Sequence, residues 1–352
     1  MGDILVTFII PAHNAGDYLS RAIESILCVS TDTVEILIVE NGSDDDTYLI
    51  ASDYQKKYNN VKVLQSEKGV SKARNLGLDN ACGRWICFVD ADDFIRKGAM
   101  KTLLTNAQGD NDFCAFGYYS GELEKKIADS DSDEIYKDDK VEYVRCKMLE
   151  NPTRYMTVWS KLFKTEIIRK YNIKFDENLR LAEDSDFTLK YTRHCNRIVL
   201  SAKSIYHYSI DNTSCMRTYD GSKTEEYANA MITSYEHVKY DSEVIKRAYD
   251  KYVLMHFNVA MVRDVFNHDN KMGYGNKIQL MKKSAAKDIF SSSINGIKNK
   301  EFFSIRMLPF LFLKSKCYIL ASFIYWVKAG MNKRRENPLC KGWNQKNTGA
   351  KF

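Results

Sequence analysis

The sequence predicts an α/β protein: a mostly parallel, doubly wound sheet flanked by helices, followed by a helical C-terminal region. Three observations carry this. Four short apolar runs, at residues 5–10, 34–39, 61–64 and 85–89, show little polar alternation, as strands covered on both faces do. Stretches with helical spacing separate them, the alternation expected of a parallel sheet. Beyond about Thr218 the strand signals fade and helical spacing takes over.

Taken in order, the run at 5–10 leads into Tyr18, Leu19, Ala22, Ile23, Ile26 and Leu27, which recur at helical spacing. The β-branched run at 34–39 is followed by a polar helix pattern from about 45 to 58. Residues 61–64 give the third strand, 70–80 a helix, 85–89 the fourth strand and 99–107 another helix. Residues 112–119 read as a further strand. Residues 120–142 are polar and acid-rich, a surface excursion. From 143 to 208 the pattern is mixed, with Tyr206-His207-Tyr208 ending a strand. No internal repeat is present. This divides the chain at 1–110, 111–217, 218–300 and 301–352.

The 352 residues fit two or three compact units, and 44% hydrophobic with 28% charged residues describes a core-forming chain. The net charge of +6 is uneven: residues 300–352 hold eleven Lys or Arg against Glu301 and Glu336, and the remainder is slightly acidic. A nucleic-acid binder would not partition its charge this way. The nine cysteines are odd in number with no CxxC pair, which argues against a disulfide framework or zinc site and for reduced, cytoplasmic thiols. No signal-peptide pattern opens the sequence.

The segments after the four strands are the informative ones. They are Pro11-Ala12-His13-Asn14, then Glu40-Asn41-Gly42-Ser43-Asp44-Asp45-Asp46, then Glu67-Lys68-Gly69, then Asp90-Ala91-Asp92-Asp93. In a parallel sheet these turns share one edge, where ligands bind. Three carboxylates as close as Asp90, Asp92 and Asp93 suit a hard divalent cation completed by a diphosphate; the same cluster would also serve as a helix cap. Glu40 could accept hydrogen bonds from a base or ribose, while Ser43 or Asp44 caps the next helix. Gly69 opens a helix carrying Arg74 and Asn75 toward the acidic edge. There Arg74 would meet Asp90, a phosphate or an internal ion-pair partner. Glu183 and Asp184 precede a helical pattern. They are dipole partners at its start, or one is the carboxylate that takes a proton from an acceptor hydroxyl.

With those motifs in order, the chain resembles the family 2 glycosyltransferases over roughly residues 4–215. The resemblance rests on the Pro-x-x-Asn turn, the acidic Gly-Ser-x-Asp loop, Gly-x-x-x-Ala-Arg-Asn-x-Gly, Asp-Ala-Asp-Asp, Trp-x-Lys-Leu-Phe and Glu-Asp-x-x-Phe. It implies the GT-A (Rossmann-like) fold and inverting transfer from a nucleotide-sugar donor. Residues 1–110 would be the donor half of that domain and 111–217 the acceptor half. By the same resemblance Pro11, Ala12, Asn14, Glu40, Arg74, Asp90 and Ala91 bind the nucleotide sugar. Asp92 is the main ligand to Mn²⁺ or Mg²⁺, Asp184 the general base, and Trp159, Lys161 and Glu183 line the sugar and acceptor pocket. Relative to the family pattern, His13, Asn41 and Glu67 depart around the base pocket, where uridine is the expected base. Ser209 stands where Arg is frequent, leaving His207 and Arg217 to compensate and His207 as a further metal ligand.

The acceptor implied is a glycan or lipid-linked saccharide in surface polysaccharide assembly, such as capsule. Apolar runs at 307–313 and 317–327, with Phe310, Phe312, Phe323, Tyr325 and Trp326 beside Lys328, Lys333, Arg334 and Arg335, are too short to span a bilayer. They suit a helix on an anionic membrane, which would place the protein at the inner face of the cell membrane; a core or dimer helix with a basic end is the other reading. A sugar nucleotidyltransferase would carry a Gly-rich, Arg-containing loop after the first strand, and a non-catalytic nucleotide-sugar binder would need no base.

Overall fold

The computed structural model describes residues 3–28, 31–210, 219–298 and 306–336. Arg217 and the tail beyond residue 336 lie outside them. The chain forms two compact units, 1–212 and 213–352.

The first unit is built on one ten-stranded sheet. Its strands are β1 (Val6–Ala12), β2 (Val34–Glu40), β3 (Val61–Gln65), β4 (Trp85–Phe88), β5 (Phe94–Ile95), β6 (Phe113–Ser120), β7 (Leu123–Lys125), β8 (Glu134–Lys137), β9 (Lys161–Lys164) and β10 (Arg197–Tyr208). Eight of them lie in the order β3-β2-β1-β4-β9-β6-β10-β5, with β7 on β6 and β8 on β10. Along that path six strands run one way, and β9 and β5 run against them. The sheet is therefore mostly parallel, as expected. Every residue of β1, β2 and β4 is buried, which explains their lack of polar alternation.

The exception inside β2 is Glu35. Its carboxylate accepts from Thr7 Oγ1 at 2.7 Å and Cys82 N at 2.8 Å, and pairs with Lys62 at 2.8 Å. Burial would raise its pKa, but these donors hold it below the ordinary value, so the charge ties β1, β2 and β3 together.

Among the described residues eight α-helices accompany this sheet: α1 (Leu19–Leu27), α2 (Thr47–Lys57), α3 (Val70–Asn80), α4 (Ala99–Gln108), α5 (Asp139–Glu150), α6 (Pro152–Tyr155), α7 (Thr165–Lys170) and α8 (Glu183–Thr192). Helix α1 buries Leu19, Ala22, Ile23 and Ile26, the face its spacing predicts. Helix α3 lies close on β1. A Cβ at Gly77 would stand 2.5 Å from Ile9 Cγ2, so the absent side chain sets the helix height.

Two expectations change. Residues 120–142 are not only a surface excursion: they supply β7 and β8 to the sheet and bury Ile127 and Ala128. Lys161–Lys164 forms β9, an antiparallel strand between β4 and β6. Four residues with lysine at both ends carry too little pattern to be read as a central strand.

The second unit is helical: α9 (Lys223–Tyr235), α10 (Glu243–Ala260), α11 (Tyr274–Ala285), α12 (Asp288–Gly296), α13 (Leu308–Lys314) and α14 (Tyr318–Glu336), with a π-helical turn at Met261–Val265. Its core contains Tyr252, Phe257, Phe290, Phe310 and Tyr325. Phe310 and Tyr325 are thus core residues rather than part of an outward aromatic face, and Tyr325 donates its hydroxyl to Asn258 Oδ1 at 2.9 Å. Among the described residues no helix is long and apolar enough to cross a membrane.

Candidate active site

Because β1 to β4 are parallel, the turns that follow them lie along one edge. Arg74 rises from α3 into this edge and is almost wholly buried. Its Nη1 meets Asp184 Oδ1 at 2.7 Å and Glu183 Oε1 at 3.3 Å, and its Nη2 meets Asp90 Oδ1 at 3.3 Å. One guanidinium therefore joins the turn after β4 to the start of α8. Burial opposes the Arg74 charge, but Asp184, Asp90 and Glu183 outweigh it and hold the group protonated.

Negative charge is in excess here. Burial, Asp184 and Asp92 push the Asp90 carboxyl up to about 6 against the pull of Arg74. Burial and the adjacent Asp184 charge push Glu183 up to about 7. Asp93 lies deeper, accepts from Ser209 N at 2.7 Å, and is raised to about 8 by burial and Asp90. These elevations are what carboxylates show when too few cations face them.

The Glu183 elevation has a consequence for stability. Between the unfolded value of about 4.5 and the folded value of about 7, the folded chain binds more protons than the unfolded one, so stability falls as pH rises through that window. Glu183→Gln is expected to flatten this fall and stabilise the ligand-free protein at pH 8 by on the order of 2–3 kcal/mol relative to pH 4.5. Urea unfolding of both proteins at the two pH values checks it; parallel pH profiles would refute it.

The segment before β9 adjoins the cluster. Val158 N donates to Asp184 Oδ2 at 3.3 Å. Trp159 stacks on Tyr206 at 4.9 Å and on Tyr208 at 5.6 Å, and the Tyr206 hydroxyl accepts from Asp90 N at 3.1 Å. Lys161 is buried, its ammonium turned to Thr157 Oγ1 at 2.8 Å and Trp159 O at 3.2 Å. Burial pulls it down to about 7, opposed by the charge of Asp184.

At the β1 and β2 ends a second group of contacts forms. Pro11 and Ala12 end β1 and are buried. Asn14 Oδ1 accepts from Asp44 N at 2.8 Å, and Asn14 N donates to Ser43 Oγ at 3.1 Å. Glu40 accepts from Ser43 N at 2.5 Å; burial would raise its pKa, but the loop's hydrogen bonds hold it low and ionised.

The structure thus gathers Arg74, Asp90, Glu183 and Asp184 into one ion cluster, with Ala91 and Asp92 in the same turn as Asp90 and with Trp159 and Lys161 beside it. Asn14 and Glu40 join a separate loop-to-loop contact. Asn75 was expected to face the acidic edge; instead it clamps Phe175 N, Phe175 O and Glu177, fixing the segment that leads to α8. The His207 ring packs 4.4 Å from Phe94, and burial with the nearby charges of Arg21 and Arg96 lowers its pKa below the ordinary value.

Among the described residues no three His, Cys, Asp or Glu side chains converge as a self-sufficient metal site. The donors at hand are carboxylate oxygens with surplus charge. They fit a hard cation held by one or two carboxylates and completed by phosphate oxygens and water.

Sequence reasoning missed Arg21, and it named Ser209 only as a departure from the family pattern. Arg21 Nη2 donates to Asp92 O at 2.6 Å and to Ser209 Oγ at 3.1 Å, bracing the turn that carries Asp92. Its partners lie 71 and 188 residues away, and no local spacing signals them.

The sequence model of glycosyl transferase family 2 matches residues 7–171. The uncharacterized glycosyltransferase YibD of Escherichia coli (strain K12) is 30% identical over 240 residues, which cover 64% of this chain and 68% of that protein. The chain belongs to glycosyl transferase family 2. A second relative, the uncharacterized glycosyltransferase EpsJ of Bacillus subtilis (strain 168), is 31% identical over 210 residues, 58% of this chain; the chain spans only 60% of that protein. The crystal structure of S. aureus TarS 1-349 in complex with UDP-GlcNAc superimposes with a TM-score of 0.66 at 20% identity, covering 95% of this chain and 92% of that one. This likeness establishes the GT-A fold expected from the sequence.

Proposed function

We propose that the protein is an inverting glycosyltransferase that moves a sugar from a UDP-sugar to a hydroxyl of a surface glycan or its lipid-linked precursor. The observation that carries this is the Arg74 ion cluster, which joins the Asp90 turn to Asp184 across the carboxyl edge of the sheet. Support for the donor comes from the TarS complexes with UDP and UDP-GlcNAc. Support for the acceptor class comes from the name of the TarS of Staphylococcus aureus, a poly(ribitol-phosphate) beta-N-acetylglucosaminyltransferase.

In this reading the turns after β1 and β2, with Glu40 ionised, receive the base and ribose. Asp92 would hold Mn²⁺ or Mg²⁺, with Asp90 toward the donor; His207, packed on Phe94, would be the weaker candidate for a second ligand. When bound, the cation neutralises charge on the departing diphosphate. Asp184 takes the acceptor proton as the hydroxyl attacks the anomeric carbon on the face opposite the leaving group. Burial and the neighbouring carboxylate push Glu183 up to about 7, and both Glu183 and Asp184 face the Arg74 guanidinium. Trp159 offers an aromatic wall for the sugar, and Lys161 adds partial positive charge near Asp184.

A thermal-shift panel of nucleotide sugars tests the donor. UDP-sugars with Mn²⁺ at about 100 times Kd are expected to stabilise by roughly 3 kcal/mol, a rise in Tm of about 5–10 °C that EDTA reduces. A GDP-sugar shifting Tm while UDP-sugars do not would reject the uridine assignment.

A further inference from the structure

Helix α14 has two faces of different fate. Ala321, Ser322, Tyr325 and Ala329 are buried in the second unit. Ile319, Leu320, Phe323, Trp326, Val327 and Met331 are exposed, Phe323 at 53% and Trp326 at 55%, and those two rings stack on each other at 6.1 Å. At 100° per residue the exposed set occupies an arc of about 140°, opposite the buried set. A continuous apolar face of this kind, presented to water on a folded unit, marks a contact surface.

Its surroundings select the occupant. From Leu308 to Glu336 the sequence carries Lys314, Lys316, Lys328, Lys333, Arg334 and Arg335 against a single acid, Glu336; of these, Lys314 is turned to the Asn295 and Ile297 carbonyls and takes no part in the surface. The apolar stripe from Ile319 to Met331 is about 18 Å long, well short of the roughly 30 Å that crosses a bilayer, so the helix would lie along a surface. Two clefts open beside it. One, of about 350 Å³, is lined by Met255, Val259, Val262 and Met331 together with Arg263 and Lys328; the other, of about 540 Å³, by Phe266 and Trp326 together with His268 and Lys277. Aromatic rings, neighbouring cations and clefts that mix apolar and basic side chains match a headgroup boundary carrying negative charge.

We propose that the outward face of α14 docks on an anionic bilayer surface through Phe323 and Trp326, with the neighbouring cations meeting lipid phosphates. This concerns the second unit alone and does not depend on the transfer chemistry. The test is co-sedimentation of the full-length protein with vesicles of phosphatidylcholine containing 30 mol% phosphatidylglycerol, against pure phosphatidylcholine. The wild type is expected to bind the anionic vesicles at least about tenfold more tightly and to lose much of that in 0.5 M KCl. Phe323→Ser with Trp326→Ser is expected to weaken binding by at least about tenfold while leaving Tm unchanged, since both rings are exposed. Equal binding to both vesicle types, or unaltered binding by the double variant, overturns the proposal. So does failure to bind anionic vesicles; if a concentration-dependent dimer, abolished by the same substitutions in sedimentation velocity, accompanies that failure, the face belongs to a second copy of the chain.

Discussion

Asp184→Asn is expected to lower kcat by about 10²–10⁴-fold while leaving the donor-induced Tm shift within about 2 °C of the wild type. The amide keeps the shape of the carboxylate, and its single acceptor oxygen can serve Arg74 Nη1 or Val158 N but not both. What is lost is the base that receives the acceptor proton. Losing the Asp184 charge lowers the Glu183 pKa, so any residual turnover would come from that neighbouring carboxylate. A variant that retained near-normal turnover would exclude Asp184 as the base. A variant that lost donor binding along with turnover would assign it a structural role through Arg74. Single-turnover transfer measured beside thermal shift separates the two.

The second large effect is expected at Arg74. Arg74→Met removes the guanidinium that faces Asp90, Glu183 and Asp184. Buried carboxylates left without their partner cost about 3–5 kcal/mol at neutral pH. The loss should shrink toward pH 5, because Asp90 and Glu183 are already raised to about 6 and about 7 and would rise further without the cation. Arg74→Lys should recover only part of the stability, since a single ammonium cannot reach three carboxylates from a fixed position. Urea denaturation at pH 5 and pH 8 checks both variants. A cost independent of pH would mean that Arg74 stabilises through packing against Phe175 instead.

Much of this site was legible in the sequence because it is built from strand ends. Four apolar runs without alternation required a sheet covered on both faces, and parallel strands must place the segments that follow them on one edge. That reasoning located Asp90, Asp92, Glu40 and the Asn14 turn from order alone. The convergence of Arg74 on Asp184 was not legible: the two are 110 residues apart and meet only because Asn75 pins the Phe175 segment under α8. Arg21 carries no motif, and its role depends on backbone atoms that sequence does not describe. Lys161 shows the opposite limit. The resemblance implied a pocket position for Lys161, but no local pattern showed that β9 inserts between β4 and β6 and buries it. In α14 the 3.6-residue period already separates Tyr325 from Phe323 and Trp326, but which face turns inward is decided by Asn258 and the core around it.

The central claim is metal-assisted transfer from a UDP-sugar with Asp184 as base, and nucleotide release tests it most directly. UDP release from a panel of UDP-sugars should be slow without acceptor, faster with a hydroxyl acceptor, dependent on Mn²⁺ or Mg²⁺, and abolished by Asp184→Asn. Pyrophosphate release from UTP and a sugar 1-phosphate would contradict the account in favour of nucleotidyl transfer. Tight UDP-sugar binding with no UDP release under any acceptor would contradict it in favour of a binding protein.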